Sequence, residues 1–206
     1  MINSTNTIKV LDGGTLGLDT KTAIKLNNAI EVTGAGYLAG GAIRSLNGAN
    51  EIAGTVKLTG ATTISNQSSD KGSLLFSNVI SGTNNLTIAG PSLGVYLTAA
   101  NTYSGKTTIN NGSKLVLGNG TGNTGSLASS GVANNGTFQF NRLDPRATPY
   151  KFTTPISGTG VVDILSGAVI FTGNNTFTGL TTIYLGATLI IGDGSSNGTI
   201  VSNIVD

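Results

Sequence analysis

The first candidate for chemistry in this sequence is a serine in the setting that hydrolases use for their nucleophile. Gly90-Pro91-Ser92-Leu93-Gly94 fits the pattern G-x-S-x-G, in which a sharp turn between a strand and a helix exposes the serine hydroxyl. A serine becomes a nucleophile only beside a general base, and the chain contains no His. No helical pattern follows Gly94 either, so we interpret this match as a turn and not as a catalytic site.

Two further loops imitate ligand-binding motifs. Gly120–Gly125 reads G-x-G-x-x-G, but a dinucleotide site also needs a helix whose N-terminus faces the phosphates, and no helical pattern follows. Asp193–Gly198 begins like a calcium loop, but the position that requires a bidentate Glu is Ile204. We interpret both loops as turns, and the sequence predicts no cofactor and no metal site.

The acidic residues are the remaining candidates for catalysis, because glycoside hydrolysis uses two carboxylates about 5–9.5 Å apart. None of the nine Asp and Glu residues is adjacent to another or separated from it by one residue, although neighbouring strands are able to bring two together. The densest charge cluster, Arg142-Leu143-Asp144-Pro145-Arg146, is a candidate clasp for an acidic ligand, and its proline predicts a protruding loop. We expect no enzyme, and keep a polysaccharide-active β-helix enzyme as an alternative.

Composition narrows the function further. The 206 residues include 31 Gly and neither Cys, His nor Trp, and Gly, Thr, Asn and Ser together make up about half of the chain. These counts exclude disulfide frameworks, zinc fingers, haem sites and histidine bases. The formal net charge of +2 is too small and too scattered for a nucleic-acid partner. A hydrophobic fraction of 38% nevertheless predicts a folded domain.

Strand signals fill the sequence, while helix signals are almost missing. Short runs of β-branched and aromatic residues, such as Val56–Thr59, Lys114–Leu117 and Thr137–Phe140, are each bounded by Gly, Asn or Ser. No window sustains apolar residues at helical spacing, and each Gly inside a helix costs about 1 kcal/mol. The sequence therefore predicts an all-β fold.

An internal repeat organises these strands. Asn101–Ile109 matches Asn175–Ile183, and the match continues in the same register through Gly112 and Gly186. Short strands that repeat with tight turns are typical of a β-solenoid, in which coils stack in parallel about 4.8 Å apart. Three short strands and three turns take roughly 20–25 residues, which predicts about eight to ten coils.

Alternation along the strands predicts the core. In each Thr-Thr-Ile the first Thr and the Ile point to one face and the middle Thr to the other. The outward threonines Thr63, Thr108 and Thr182 are widely and unevenly spaced, so a file of threonines of the kind that binds ice is expected to be interrupted. The residues expected to face the interior are Ile109, Leu115, Leu117, Phe138, Phe140, Ile183, Leu189 and Ile191.

The repeat is weakest in the first part of the chain. We interpret residues 1–40 as N-terminal coils or a partial cap, and residues 41–206 as one continuous β-helix repeat region. Residues 1–7 have neither the basic start nor the apolar segment of a signal peptide. We therefore expect a segment of a longer secreted chain.

The repeat resembles a known family. Asn101–Leu115 and Asn175–Leu189 are similar to the autotransporter-associated β-strand repeat, whose consensus reads roughly N-T-Y-x-G-x-T-T-I-x-x-G-x-L, and the resemblance covers about residues 40 to 194. The flanking stretches that also resemble the family are Val79–Gly82, Val132–Phe138 and Asn141–Asp144. The motif residues are Asn101, Tyr103, Gly105, Thr107, Thr108, Ile109 and Gly112 in the first copy, and Asn175, Phe177, Gly179, Thr181, Thr182, Ile183 and Gly186 in the second.

The resemblance implies a right-handed parallel β-helix, with about three short strands per coil, in the passenger region of a bacterial type V autotransporter. Such a segment is an exported stalk or adhesin on the surface of a Gram-negative bacterium, and it is covalently continuous with a membrane β-barrel in the full-length chain. We expect its surface to bind a glycan or a protein ligand. We also expect end-to-end or side-by-side self-association, because open solenoid ends expose strand edges. A subunit of a secreted or phage-type β-solenoid fibre is a further alternative.

Overall fold

The fold consists almost entirely of strands. A computed structural model describes residues 6–68, 70, 72–91 and 94–205. Within these residues the only helical element is the 3-10 turn Tyr37–Ala39, and no helix is long and apolar enough to cross a membrane. The strands are β1 (Ile8–Val10), β2 (Leu16–Asp19), β3 (Lys25–Leu26), β4 (Ile30–Gly34), β5 (Ile43–Asn47), β6 (Asn50–Ile52), β7 (Val56–Asn66), β8 (Leu74–Phe76), β9 (Ile80–Gly82), β10 (Leu86–Ala89), β11 (Val95–Leu97), β12 (Thr107–Ile109), β13 (Lys114–Leu117), β14 (Val132–Asn134), β15 (Thr137–Asn141), β16 (Tyr150–Phe152), β17 (Ile156–Ser157), β18 (Val161–Ser166), β19 (Ala168–Phe171), β20 (Thr181–Ile183), β21 (Thr188–Ile191) and β22 (Ile204–Val205).

Every strand pair in the described part of the chain is parallel. A nine-stranded sheet, β3-β6-β8-β11-β13-β15-β18-β20-β22, forms one side. A ten-stranded sheet covers two further sides, because the first half of the long β7 pairs with β9 and its second half pairs with β10. In the last coils β16, β19 and β21 form a separate sheet. The predicted all-β parallel β-helix, a β-solenoid with three strands per coil, is confirmed.

The register of the nine-stranded sheet gives the coil length. The number of residues between register partners on successive strands is smallest for Asp163 and Thr182, and it is largest for Lys25 and Glu51. Individual coils therefore differ in length, but all of them stay close to the value that strand geometry predicts. Nine strands on one side delimit about eight turns, at the lower limit of the predicted number of coils.

The core is narrow and is filled by alternate side chains from all sides. β10 and β12 each bury their first and third residues and leave the second at the surface. Around β15 and β16, aromatic rings fill the centre: the ring centroids of Phe138 and Phe140 lie 4.7 Å apart, and those of Phe140 and Phe152 lie 5.1 Å apart. These tilted and edge-on contacts add to the free energy of burying the rings.

Most residues predicted to face the interior do so. Ile183 and Leu189 are partly buried against the core. The prediction for Ile191 is wrong, since 39% of this residue is exposed. Ile191 is the register partner of the buried Phe171, but β21 is the last described strand of its sheet and no later described strand covers it. The fully buried members of the predicted set are Ile109, Leu115, Leu117, Phe138 and Phe140.

The coils extend back to the first described strands. β1 pairs with β4, β2 with β5 and β3 with β6, all in parallel. The inward residues Val10, Leu18 and Leu26 of this first coil are buried. The first described coil is therefore better buried than the strand β21, although its residues Ile8, Leu16 and Ile24 are only partly buried.

Candidate functional site

The repeat motif places an asparagine at a corner of the solenoid, and its amide joins three consecutive coils. The Asn101 Oδ1 accepts a hydrogen bond from the backbone N–H of Ile80 at 2.9 Å. Its Nδ2 donates to the carbonyls of Ala99 and Ser126, both at 3.0 Å. Because the residue is buried and its amide bonds only to backbone, it is a link between coils and not a contact for a ligand.

The asparagine of the second copy makes the same bonds. The Asn175 Oδ1 accepts from the N–H of Ile156 at 2.9 Å, and its Nδ2 donates to the carbonyls of Gly173 and Thr199 at 3.1 and 2.9 Å. Equivalent positions of the sequence repeat therefore have equivalent local structure.

The aromatic residue of the motif lies in the core of the coil. Tyr103 is fully buried, and its hydroxyl lies 2.7 Å from the Thr107 Oγ1, which in turn lies 2.9 Å from the Ser129 Oγ of the next coil. Burial raises the pKa of the Tyr103 hydroxyl, although its bond to Thr107 acts in the other direction. The phenol is therefore kept neutral, as a structural hydrogen-bonding group requires.

The second copy keeps this arrangement without the phenol. Phe177 is fully buried at the position of the tyrosine. The Thr181 Oγ1 bonds directly to the Ser202 Oγ of the following coil at 2.6 Å. The inward threonine of the motif thus has a hydroxyl partner in the next coil in both copies.

Two glycines of each copy have different physical roles. A Cβ on Gly105 or on Gly179 would lie 2.2 or 2.1 Å from the backbone of the preceding coil, so any side chain there would push the coils apart. Gly112 and Gly186 have open space around them but a φ of +74° and +81°, which L residues rarely adopt. All four glycines therefore serve the coil geometry.

The two copies lie on different sides of the solenoid. Ile80, which precedes the first copy, pairs with Val56 in the first half of β7. Its sequence equivalent Ile156 pairs with Val132 on β14. Strand β14 pairs with β12, β12 with β10, and β10 with the second half of β7. Accordingly β12 belongs to the ten-stranded sheet and β20 to the nine-stranded sheet. From the first copy of the motif to the second, the chain completes a whole number of coils and then one further side of the solenoid. The two copies therefore face different directions.

The outer face of the ten-stranded sheet carries a short file of hydroxyl groups. Thr63, Thr87 and Thr108 are register partners on β7, β10 and β12. Ala133 and Ser157 continue the file on β14 and β17. These residues are half-buried, and the hydroxyl groups among them are hydrogen-bonding groups at the spacing of the coils.

Thr182 does not belong to this file. Thr182 is the partner of Asp163 on β18, in the nine-stranded sheet. Between Thr108 and Thr182 the chain completes a whole number of coils and then one further side of the solenoid. The two threonines therefore face different directions. Thr87 fills the gap in the sequence between Thr63 and Thr108.

The charge cluster contains a buried ion pair. The Arg142 Nε and Nη2 donate to the Asp144 carboxylate at 2.7 and 3.0 Å, and the two side chains are only 6% and 8% exposed. The guanidinium also donates to the carbonyls of Gly125 and Asn123, and it lies 3.7 Å from the centroid of the Tyr150 ring. The predicted ligand clasp and the G-x-G-x-x-G loop are therefore bonded to each other, a juxtaposition that the sequence did not predict.

A shallow pocket of about 450 Å³ lies beside this ion pair. Residues 98–100 and 123–126 line it together with Arg142 and Tyr150. Because Asp144 neutralises the guanidinium, the pocket offers hydroxyl and amide groups and not a positive charge. Leu143 and Arg146 are exposed as predicted for a protruding loop, whereas the arginine and aspartate that were expected to contact a ligand are buried.

The carboxylates on strands lie apart from each other. Within the described residues no strand carboxylate has another carboxylate as its register neighbour, and no three His, Cys, Asp or Glu side chains cluster as metal ligands. Glu51 instead accepts a hydrogen bond from the Ser77 hydroxyl, which together with Lys25 lowers the pKa of its carboxyl. The register neighbours are Lys9 and Lys57 for Glu31, Lys25 and Leu75 for Glu51, and Gln139 and Thr182 for Asp163.

The loop that resembles a calcium site is closed by its own hydrogen bonds. The Asp193 Oδ1 accepts from the N–H groups of Ser195 and Ser196 at 3.0 and 2.7 Å, and its Oδ2 pairs with the Lys151 ammonium. The Lys151 contact first, and then the two N–H groups, lower the pKa of Asp193 to about 2. Ser92 of the G-x-S-x-G stretch lies outside the described residues.

No family model, curated protein or solved structure matches this chain. The functional argument therefore depends on the chain's own residues and on the geometry of its coils.

Proposed function

We propose that this chain is an exported structural segment, a stalk or adhesin part of a bacterial autotransporter passenger, whose β-helical surface serves adhesion or self-association. The observation that carries the proposal is the use of the repeated side chains. The motif asparagine and inward threonine bond to neighbouring coils, and the motif glycines permit close stacking or tight turns. What the sequence repeats is a device for stacking coils, which is what a spacer requires.

The outer faces supply the binding surface in this proposal. The file Thr63–Thr87–Thr108 presents hydroxyl groups one coil apart, and the shallow pocket beside Tyr150 adds an aromatic ring with hydroxyl and amide neighbours. Many weak polar contacts along a rigid rod give useful avidity for a glycan or a protein that also repeats. The proposed location is the surface of a Gram-negative bacterium, with the full-length chain continuing into a membrane β-barrel. That location and that continuation follow from the resemblance of the motif alone.

The test of this location uses the native full-length protein on cells of the bacterium that produces it. Antibodies raised against the purified chain are expected to label intact cells, and an external protease is expected to remove the label without lysis. A cytoplasmic protein of the same cells, probed in parallel, controls for leakage. Labelling that requires permeabilised cells would contradict export to the surface.

A subunit of a β-solenoid fibre is a second candidate, favoured by the apolar groups that the last described coil exposes. In this coil Ile191, Val201 and Ile204 are 39%, 64% and 48% exposed. Open strand edges and exposed apolar groups favour the addition of another coil. Light scattering of the purified chain is expected to show mass increasing with concentration, and an Ile204→Lys substitution is expected to reduce it. One monodisperse monomer at high concentration would exclude the fibre subunit and leave the stalk proposal intact.

The separation of the strand carboxylates supports a non-enzymatic function over a polysaccharide-active enzyme. We expect the chain to leave soluble polysaccharides intact in an assay of reducing-end release. Release that disappears in an Asp144→Asn variant of unchanged fold would overturn this expectation.

A further inference from the structure

Five Asn-Gly steps occur in the turns of this chain. In such a step the Gly backbone nitrogen is able to attack the Asn side-chain Cγ, because Gly has no side chain in the way. The new N–Cγ bond closes a succinimide ring while the Cγ–Nδ2 bond breaks, and ammonia leaves with the proton of the backbone amide. Water then opens the ring to Asp or isoaspartate, and no oxidant or reductant is involved. The five steps begin at Asn47, Asn111, Asn119, Asn135 and Asn197.

Three of these steps have both reacting groups held by hydrogen bonds. A bonded side-chain amide is not free to turn toward the backbone, and a bonded Gly N–H is less available to lose its proton. The bonds of the side chains are Asn47 Nδ2 to Asp19 Oδ1 at 2.6 Å, Thr121 Oγ1 to Asn119 Oδ1 at 2.6 Å, and Thr159 N to Asn135 Oδ1 at 3.4 Å. The bonds of the glycine N–H groups are Gly48 to the Asp70 carboxylate at 2.9 Å, Gly120 to the Asn141 carbonyl at 2.8 Å, and Gly136 to Asn134 Oδ1 at 3.2 Å.

The other two steps have neither group held. Within the described residues the Asn111 and Asn197 side chains make no hydrogen bond, and neither do the N–H groups of Gly112 and Gly198. Exposure does not separate the two classes, because Asn119 is exposed as well, and so is the asparagine at position 135. The hydrogen bonds alone distinguish them.

We propose that Asn111 and Asn197 are sites of spontaneous succinimide formation in the folded chain, and that the other three Asn-Gly steps are protected by the fold. Each conversion adds one negative charge, so conversion of both sites cancels the formal net charge of +2.

The two conversions have different structural effects. Gly112 has no atom within 4 Å of the place where a Cβ would be, so an added methylene in the neighbouring backbone is accommodated. Gly198 lies tightly against the carbonyl of Phe171, and the next residue, Thr199, donates its N–H to Gly173 at 3.1 Å. Isoaspartate at Asn197 lengthens the backbone beside this contact and loosens the last coil.

The test ages the purified full chain at mildly alkaline pH and measures Asp and isoaspartate at all five sites by peptide mass spectrometry. Asn119, Asn135 and Asn197 are each followed by Gly-Thr, so they have the same local sequence. In the folded chain Asn197 is expected to convert at least about ten-fold faster than the other two, because a local opening that costs ~1.4 kcal/mol is populated about a tenth of the time. In concentrated urea the three rates are expected to be similar. Equal rates in the folded chain would overturn the proposal.

Two variants test the physical cause. Thr121→Ala removes one of the two hydrogen bonds that hold Asn119, since the Thr121 N–H also donates to its Oδ1, and it is expected to speed conversion at that site in part while leaving Asn135 unchanged. Asn197→Gln blocks the second site, so hydrogen exchange at Thr199 is expected to accelerate on ageing in the wild-type chain and not in this variant. Equal acceleration in both chains would show that another change loosens the last coil.

Discussion

The two copies of the repeat share their sequence but differ in their surroundings. The first copy, Asn101–Leu115, lies in the middle of the solenoid, and its inward residues Thr107 and Ile109 are fully buried. The second copy, Asn175–Leu189, lies in the last described coils, where Ile183 is only partly buried. Both copies nevertheless have the same asparagine bonds and the same close glycine contact. The motif thus determines the local conformation, while the following coil determines how much apolar surface is buried.

The largest difference between the copies is expected for the isoleucine of Thr-Thr-Ile. Ile109→Ala removes a fully buried side chain between two coils and is expected to lower the free energy of unfolding by about 2–5 kcal/mol. Ile183→Ala is expected to cost less than half as much, since part of that side chain already contacts water. Chemical denaturation measures both values, and hydrogen exchange locates the effect. Equal losses would show that the last coil is covered in solution.

The next largest effect is expected for the corner asparagine. Asn101→Ala leaves the buried N–H of Ile80 without its acceptor, which is expected to cost about 1–3 kcal/mol. Asn175→Ala breaks the same bond to Ile156; both asparagines are buried, but we expect a smaller loss because the last described coils open locally at a lower free energy than the central ones. Denaturation curves of the two variants test this order. A larger loss for Asn175→Ala would contradict the view that the central coils are the better protected ones.

A smaller effect is expected at the aromatic position, where the copies differ by one hydroxyl. Tyr103→Phe gives the first copy the residue of the second and is expected to cost about 1 kcal/mol, because Thr107 keeps its bond to Ser129. Phe177→Tyr is the reciprocal change and is expected to alter stability by less than that. Denaturation curves measure both changes. A loss well above this range for Tyr103→Phe would mean that the phenol organises the whole hydroxyl chain.

The smallest effect concerns the turn after each copy, where Asn119 and Asp193 occupy equivalent positions. Both side chains accept hydrogen bonds from the turn, but only Asp193 titrates, and its pKa is lowered from 3.8 to about 2. A lowered pKa stabilises the fold above the ordinary value, and this contribution is lost as the pH falls from about 4 to about 2. Asp193→Asn, which makes the second turn like the first, is expected to remove this part of the acid sensitivity. An unchanged difference between the stabilities at pH 4 and pH 2 would contradict the assignment.

The fold could be predicted from the sequence because strand alternation and turn residues are local signals. Ile109 and Leu117 lie where the pattern predicts, since a residue's face follows from its position in a short strand. Ile191 is not buried as the pattern predicts, because its burial depends on a following strand and β21 is the last described strand of its sheet. The different sides of Thr108 and Thr182 were not predicted, because they depend on the offset of the repeat not being a whole number of coils.

The candidate site was less predictable. Arg142 belongs to the densest charge cluster of the sequence, and charged residues are usually exposed. The structure buries it, because the loops of neighbouring coils meet at one corner and provide two carbonyl acceptors and the Asp144 carboxylate. An aspartate two residues after the arginine was the only signal in the sequence that pointed to this pair.

The sequence by itself determined the strands and the turns, because each depends on residues that are neighbours along the chain, and the repeat of these elements predicted that the coils stack in parallel. Only the tertiary structure decided which side each copy faces and which Asn-Gly turns are held by hydrogen bonds. These properties depend on the summed lengths of several coils, and on contacts between residues that lie about one coil apart. Coils of unequal length keep their strands in the same sheets, so the side that a residue faces depends on all the turns before it, and no local pattern contains that information.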